Sequence, residues 1–421
     1  MTLDPPAVDR AAGMTVYATP GDRHAGKLRA TKEDFLVSEI FDLGQVEQER
    51  KEGYVPLYSL KKHGVDTPHA AKELGDALKS NVNFAGLKDS DAITTQYASA
   101  RSSRAEDPQS VKGRGFEAER VGYLPRPITR GMIAGNGFRI VVRTDEDIMD
   151  AIETAYRSCS ARKLPNFFGY QRFGLKSMVN PRVGKAVLTR DFKGALELLL
   201  AEPRRGERPE GEEARRMVRE GRYREAQRLF SPRQDIERRV AGHLAEKPDD
   251  YLGAFRKVPI LPRRLFLQSY QAYLFNLTLS RAISNGLDLS AAEKGDNWTE
   301  LAADGLRIGK THGVKEPIPG MALPLIQLVG YAFRDYGSRF DRVIVPILEE
   351  EGIRPGQFYL KEAEEVSNEG GFRQAPLLAT GMGSEKLEGG FSLGFSLGRG
   401  EYATTLLREV LKPEDPMASG F

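Results

Sequence analysis

Residues 83–99 read NFAGLKDSDAITTQYAS, and within them Lys88, Asp89 and Asp91 interrupt material that otherwise has the character of strand. A carboxylate in such a place can serve as nucleophile, general base or metal ligand. A nucleophilic aspartate has to stay ionised in a partly dry site, and a nearby cation favours that form. Lys88 is the sequence neighbour of Asp89, but adjacent residues on a strand point to opposite faces. The pairing cation is therefore expected from elsewhere, and Arg29 is a candidate.

Two other readings of the same stretch stand beside this one. DSDAIT (89–94) nearly matches the DxDx[TV] signature of haloacid-dehalogenase-type phosphatases. In those enzymes the first aspartate attacks phosphorus, the second is the acid and Mg²⁺ assists, which here would use Asp89 and Asp91. Ile93 stands where Thr or Val belongs, and Asp249–Asp250 sit in a helix-like linker rather than in a second acidic motif. The other reading is a surface loop whose charges face solvent.

Composition narrows the chemistry. A single cysteine, Cys159, excludes an intrachain disulfide framework. Five scattered histidines without HxxxH or CxxC spacing argue against a structural zinc site. A chain poor in metal and cofactor sites is expected. No apolar run is long enough for a transmembrane helix, and residues 1–27 lack the apolar core of a signal peptide. A cytoplasmic protein without membrane association is expected, and the sequence carries no signal for oligomeric state.

The net charge of +3 is small, but its distribution is uneven. Residues 121–144 contain Arg126, Arg130, Arg139 and Arg143 and no acid. Residues 161–185 contain six basic residues, no acid, and the rings of Phe167, Phe168, Tyr170 and Phe173. Cations interleaved with aromatic rings suit a polyanion whose bases can stack, RNA or single-stranded DNA. Residues 201–240 hold twelve arginines against nine acids, a composition typical of solvated helices laced with i,i+4 pairs.

The elements that must position these residues follow from periodicity. Residues 28–41, 54–64 and 137–144 alternate as strands, and 67–80 read as a helix with Thr67 as N-cap and Pro68 at N1. A helix over 145–161 is expected with Asp145 as its cap, and a longer one over 264–286 with Gly286 as its stop. Residues 184–256 have helical patterns, 295–360 turn to short strands and turns, and 360–372 look like a linker. The chain then closes with an alternating strand, a turn at 398–400 and a helix. Strands and helices without a regular βαβ rhythm argue for an α+β fold with a mixed or antiparallel sheet.

Residues 83–99 also resemble the G-x-K-D-x-x-A-x-T-x-Q signature of the TruD family of tRNA pseudouridine synthases, through Gly86, Lys88, Asp89, Ala92, Thr94 and Gln96. ATKEDFLVSE (30–39) is similar to the family's E-D-F-x-V-x-E strand, and GNGF (135–138) to its G-N-x-F segment. LPNFFGYQRFG (164–174) resembles the P-N-[YF]-F-G-x-Q-R-F-G signature at every position. SYQAYLFN (269–276) and GEYATTLLRE (400–409) are similar to two later segments.

The resemblance implies a pseudouridine synthase catalytic domain with a bent mixed or antiparallel sheet, formed by residues 1–170 and 366–421. Residues 171–365 would form an inserted α+β domain specific to the family. It implies isomerisation of uridine to pseudouridine in tRNA, typically uridine 13 of the D arm, with Asp89 as the essential carboxylate. Phe168 would face the uracil, and Asn166 would either bond the flipped base or fix its loop. Arg29 would pair with Asp89, Gln171 and Arg172 would contact phosphate or brace the loop, and Lys88 would make a phosphate or loop contact. The non-enzymatic alternative is an RNA-binding protein on the same fold.

Overall fold

A computed structural model of the chain describes residues 3–88, 92–100, 107–175, 177–313 and 316–421. Asp89 and Asp91 therefore lie outside the described residues. The chain divides into two compact units, one comprising Gly21–Leu164, Leu301–Gly309 and Leu377–Phe421, the other Met1–Pro20, Pro165–Glu300 and Lys310–Pro376. The fold class is α+β, as the alternating and helical patterns require.

The first unit is built on a mixed nine-stranded sheet. Its strands include β1 (Phe35–Phe41), β2 (Val55–Lys62), β3 (Val82–Phe84), β4 (Ile93–Ala100), β5 (Ser110–Gly113), β6 (Phe116–Leu124) and β7 (Ile133–Arg143). The C-terminal hairpin Ala379–Leu387 and Gly390–Gly398 completes it beside β7. The order from β7 is β7-β1-β4-β2-β6-β5, with β3 also on β4. Among the described residues only β1 and β4 run parallel, with Leu36, Val37 and Ser38 opposite Ile93, Thr94 and Thr95.

Strand β1 alternates as its sequence does, with Phe35, Val37, Glu39 and Phe41 on the buried row. Helix Thr67–Leu78 covers one part of the sheet, seating Ala70, Leu74 and Leu78 against Tyr58, Leu60, Ala98 and Phe116. Burying each such leucine contributes roughly 1.5–3 kcal/mol. The helix is capped by Asp66, whose carboxylate accepts from the His69 amide, and not by Thr67 as expected. Thr67 is fully buried and its hydroxyl is engaged elsewhere. The next helix begins at Met149 rather than at Asp145. Asp147 accepts from the Met149 amide at 3.1 Å, so the acidic turn before the helix ends in a different carboxylate.

At the start of β1, Asp34 closes a capping box with Thr31 and accepts both Nε and Nη2 of Arg143, at 3.0 and 2.6 Å. Burial alone would raise the Asp34 pKa, but Arg143 and the Thr31 amide outweigh it and hold the carboxyl below its ordinary value.

The second unit is mainly helical. Helix Ile260–Ser284 is its longest element. Helix Asn180–Leu188 crosses it closely enough that a Cβ on Gly184 would stand 2.2 Å from the Phe266 carbonyl oxygen. Strands Gly371–Gln374, Ala322–Leu328 and Asn297–Leu301 pair antiparallel in a second sheet. Between them the chain forms a helix, Asp341–Glu351, where short strands and turns were expected. Pro346 inside it masked the helical pattern in the sequence. The expected linker 360–372 is instead 3₁₀ helix at Lys361–Val366 and strand from Gly371.

Two of the points at which the chain passes between the compact units are 164/165 and 376/377. Local bonding places them there: the Asn166 amide donates to Ala375, and the Phe168 amide to Asn276, all within the helical unit.

Replacing Leu74 by alanine is expected to cost about 2–5 kcal/mol as a cavity under the helix, read as a lowered denaturation midpoint, whereas Asp34→Asn tests a charge. Because the folded pKa of Asp34 is lowered, its contribution is present at neutral pH and lost as pH falls below about 4. The midpoints of wild type and Asp34→Asn should therefore differ at neutral pH and converge in acid; a gap that does not narrow would rule the ion pair out as its source.

Candidate functional site

The loop that carries the first signature leaves β3 at Phe84 and passes through Ala85, Gly86 and Leu87 to Lys88. Lys88 is held at three points. Its amide donates to the Thr67 hydroxyl at 3.0 Å, and its carbonyl accepts from the buried Lys62 ammonium at 3.1 Å. Its own ammonium lies 2.8 Å from Glu39 Oε1. Lys62 donates in addition to the Val65 carbonyl at 3.0 Å, and the Thr67 hydroxyl donates to Gln96 Oε1 at 2.9 Å. The residue before Asp89 is thus fixed by a helix N-terminus and by strands β1 and β2.

Glu39 is the unexpected member. It stands on the apolar row of β1 with its side chain 1% exposed, and Lys88 is 13% exposed. Its second oxygen accepts from the Tyr97 amide at 2.8 Å on β4. The Tyr97 hydroxyl has its pKa raised, by burial first and by the Glu39 charge second. A buried charge is tolerated when its lone pairs are met in this way. The Lys88 ammonium is thus engaged by Glu39 within the protein.

Arg29 adopts a left-handed backbone, φ +52°. Its guanidinium sits 4.0 Å from the Phe35 ring centroid and donates to the Gly420 carbonyl at 2.5 Å. The expected partner, Asp89, is outside the described residues.

The second signature folds as a loop and a short 3₁₀ helix, Tyr170–Phe173, in the helical unit. Asn166 is completely buried. Its amide nitrogen donates to the Gln374 carbonyl at 3.3 Å, and its Oδ1 accepts from Arg373 Nη2 at 2.5 Å. Arg373 Nε also donates to the Asn166 carbonyl at 3.1 Å. Of the two expected roles, these bonds use Asn166 to fix the loop. Phe168 is 8% exposed. Its main chain is bracketed by Asn276, which accepts the Phe168 amide at 2.8 Å and donates to its carbonyl at 3.0 Å. The Phe168 ring meets Phe275 edge-on at 5.4 Å, and the Arg373 guanidinium lies 4.2 Å from its centroid.

Arg172 is partly exposed, donates to Gln268 at 3.1 Å and stands 5.5 Å from the Phe168 ring. Its carbonyl accepts from the Ser269 hydroxyl. Gln171 is exposed on the same turn. Asn166, Phe168 and Arg172 thus form one cluster, organised by residues the sequence reading passed over, Arg373 and Asn276. Glu39 and Lys62 do the same for Lys88. Glu39 had a visible signal, a charge in the apolar phase of an alternating strand; Arg373 had none. Among the described residues no cluster of three or more His, Cys, Asp or Glu is placed to hold a metal ion. No helix among them is long and apolar enough to cross a membrane.

The family model described as tRNA pseudouridine synthase D (TruD) matches residues 11–410. Two relatives carry the name "Probable tRNA pseudouridine synthase D". The one from Methanosarcina mazei is 31% identical over 436 residues, covering 97% of this chain and 98% of its own. The one from Thermococcus sibiricus is 33% identical over 417 residues, covering 94% and 97%. A crystal structure titled as tRNA pseudouridine synthase D from Methanosarcina mazei superposes with a TM-score of 0.80 at 29% identity, covering 99% of this chain and 100% of that one.

Lys88→Gln is expected to destabilise by about 3–5 kcal/mol, because it leaves the Glu39 carboxylate buried without its cation. Removing both charges, Glu39→Gln with Lys88→Gln, should recover much of that loss. Chemical denaturation of the four proteins gives the coupling as a double-mutant cycle; strict additivity would show that the two side chains do not depend on each other.

Proposed function

The chain belongs to the tRNA pseudouridine synthase D family, and from that membership we propose that it isomerises uridine to pseudouridine in tRNA, at uridine 13 of the D arm. Residues 1–170 with 366–421 are proposed as the pseudouridine synthase catalytic domain, and 171–365 as the family-specific insertion. The reaction breaks the C1′–N1 bond, turns the uracil and forms a C1′–C5 bond; C5 releases its proton to solvent and the freed N1 takes one up. The substrate and product are isomers, so the balance calls for no oxidant, reductant or group donor.

Asp89 is the proposed essential carboxylate. Attack on C1′, attack on C6 and abstraction of a ribose proton all ask for an ionised carboxylate held in a fixed place. The observation that supports this reading is the three-point anchoring of Lys88, which removes freedom from the residue joined to Asp89. Positioning of that kind is a large part of what a site contributes to rate. The target uridine has to leave its stack to be reached, and Phe168 is proposed as the ring that meets the uracil, with Asn166 and Arg373 holding it in place. Gln171 and Arg172, on the exposed turn beside it, are proposed to contact the RNA backbone. Arg29 is the proposed cation for Asp89.

Tritium release from tRNA labelled at uracil C5 tests the activity, with EDTA present. Wild type should release tritium and Asp89→Asn should lose release by at least about a thousandfold, as for removal of a group that acts directly on the reacting atoms. Release by the variant at the wild-type rate would refute the role of Asp89, and binding of tRNA without release by wild type would favour the RNA-binding reading. Carbodiimide-dependent primer-extension stops should map to position 13; stops at another uridine would correct the position alone.

A further inference from the structure

We propose that the groove beside helix Thr67–Leu78 is a docking site for the phosphate backbone of the RNA substrate, next to the loop that leads to Asp89. The inference rests on the reading of the protein as an enzyme acting on tRNA. The groove has a volume of about 840 Å³ and is lined by the helix, the turn after it and β3. It is an open groove rather than an enclosed pocket, the form a strand of nucleic acid can lie along.

The groove exists because the chain doubles back tightly at the end of the helix. Lys79 takes a left-handed conformation at φ +50°, and the Ser80 amide donates to the Gly75 carbonyl at 3.0 Å. A Cβ at Gly75 would meet the Ser80 carbonyl oxygen at 2.8 Å, so this close return depends on glycine. The result places Lys72 and Lys79 on one lining, both exposed, with the amide of Asn81 and the partly buried ring of Phe84. Among the described residues neither lysine has a carboxylate at ion-pair distance. Asp76 is the acid in the lining, so the cations outnumber it. Exposed lysines with a partly buried aromatic ring on the same lining suit a backbone phosphate with its attached base or sugar.

Position ties the groove to the site. Phe84 ends β3 and lies four residues before Lys88, a reach of at most about 14 Å. RNA lying in the groove would therefore pass within a few nucleotides of the anchored loop. Lys88 cannot supply the phosphate contact itself, since its ammonium is paired with Glu39 at 2.8 Å; the exposed lysines of the groove can.

The test compares tRNA binding by wild type, Lys72→Gln/Lys79→Gln and a charge-matched control, Lys247→Gln/Lys361→Gln, over a range of salt. Each phosphate contact contributes roughly 0.7–0.9 to the slope of log affinity against log salt. The groove variant should lose about 1.4–1.8 from the slope, raise KM several-fold and leave kcat unchanged. The control should change the slope by much less. Asp76→Asn, which removes the opposing charge, should tighten binding several-fold at low salt. Both lysines are exposed, so the melting temperature should not move. An unchanged slope in the groove variant, or an equal loss in the control, overturns the proposal. Loss of slope in the groove variant, with no tritium release by wild type, would retain the groove and refute the isomerase.

Discussion

The buried ion pair between Glu39 and Lys88 is the constraint around which the first signature is arranged. A glutamate on the apolar row of β1 would destabilise the unit by several kcal/mol if left alone. Two groups meet it, the Tyr97 amide of β4 and the ammonium of Lys88. The first requires β1 and β4 to lie side by side, which the parallel pairing of Leu36–Ser38 with Ile93–Thr95 provides. The second requires the loop after β3 to fold in over the sheet. A strand register and a loop conformation are therefore coupled through one carboxylate. Moving β1 by a single residue would turn Glu39 to the opposite face and leave Lys88 without its partner.

The second signature is held by different physics. Neither Asn166 nor Asn276 is charged, yet Asn276 satisfies main-chain groups of Phe168 and Ala12, and Asn166 meets the Gln374 carbonyl and the Arg373 guanidinium. An amide can donate and accept from the same side chain, which a carboxylate or an ammonium cannot do. Asn276 uses that property to hold the amide and carbonyl of Phe168 together with the carbonyl of Ala12. Arg373 then adds a guanidinium that serves Asn166 through hydrogen bonds and Phe168 through its ring face. Substitution by aspartate would remove the donor and leave buried carbonyls unmet, a cost of about 1–3 kcal/mol for each.

Periodicity made the strands and the long helices legible, because each has one buried face. What it missed depends on contacts between residues far apart in sequence. Thr67 has every local qualification for a helix cap, but its hydroxyl lies under the loop and bonds Lys88 and Gln96, so Asp66 caps instead. Helix Asp341–Glu351 was obscured by its internal proline. The importance of Arg373 follows from strand Gly371–Gln374 lying beside the 165–174 loop, a pairing between segments two hundred residues apart. The motifs singled out Lys88, Asn166 and Phe168, which periodicity could not, since motifs specify residue types that the local fold alone does not demand.

Charge was the least legible property, and its failure bears on how the protein meets RNA. The runs free of acids are not free of acids once folded: Arg143 meets Asp34, Arg182 meets Glu202 and Lys185 meets Glu351. In the arginine-rich segment, Arg215 is fully buried between Glu207 and Glu237. Such cations are neutralised by partners within the protein, and a phosphate could recruit them only by displacing a carboxylate. Their number therefore says little about affinity for a polyanion. The cations that count are those the fold leaves at the surface without an acid beside them, and these are fewer than the sequence suggests. A net charge of +3 is then compatible with RNA binding, because local placement rather than the total sets how many counterions a bound strand releases.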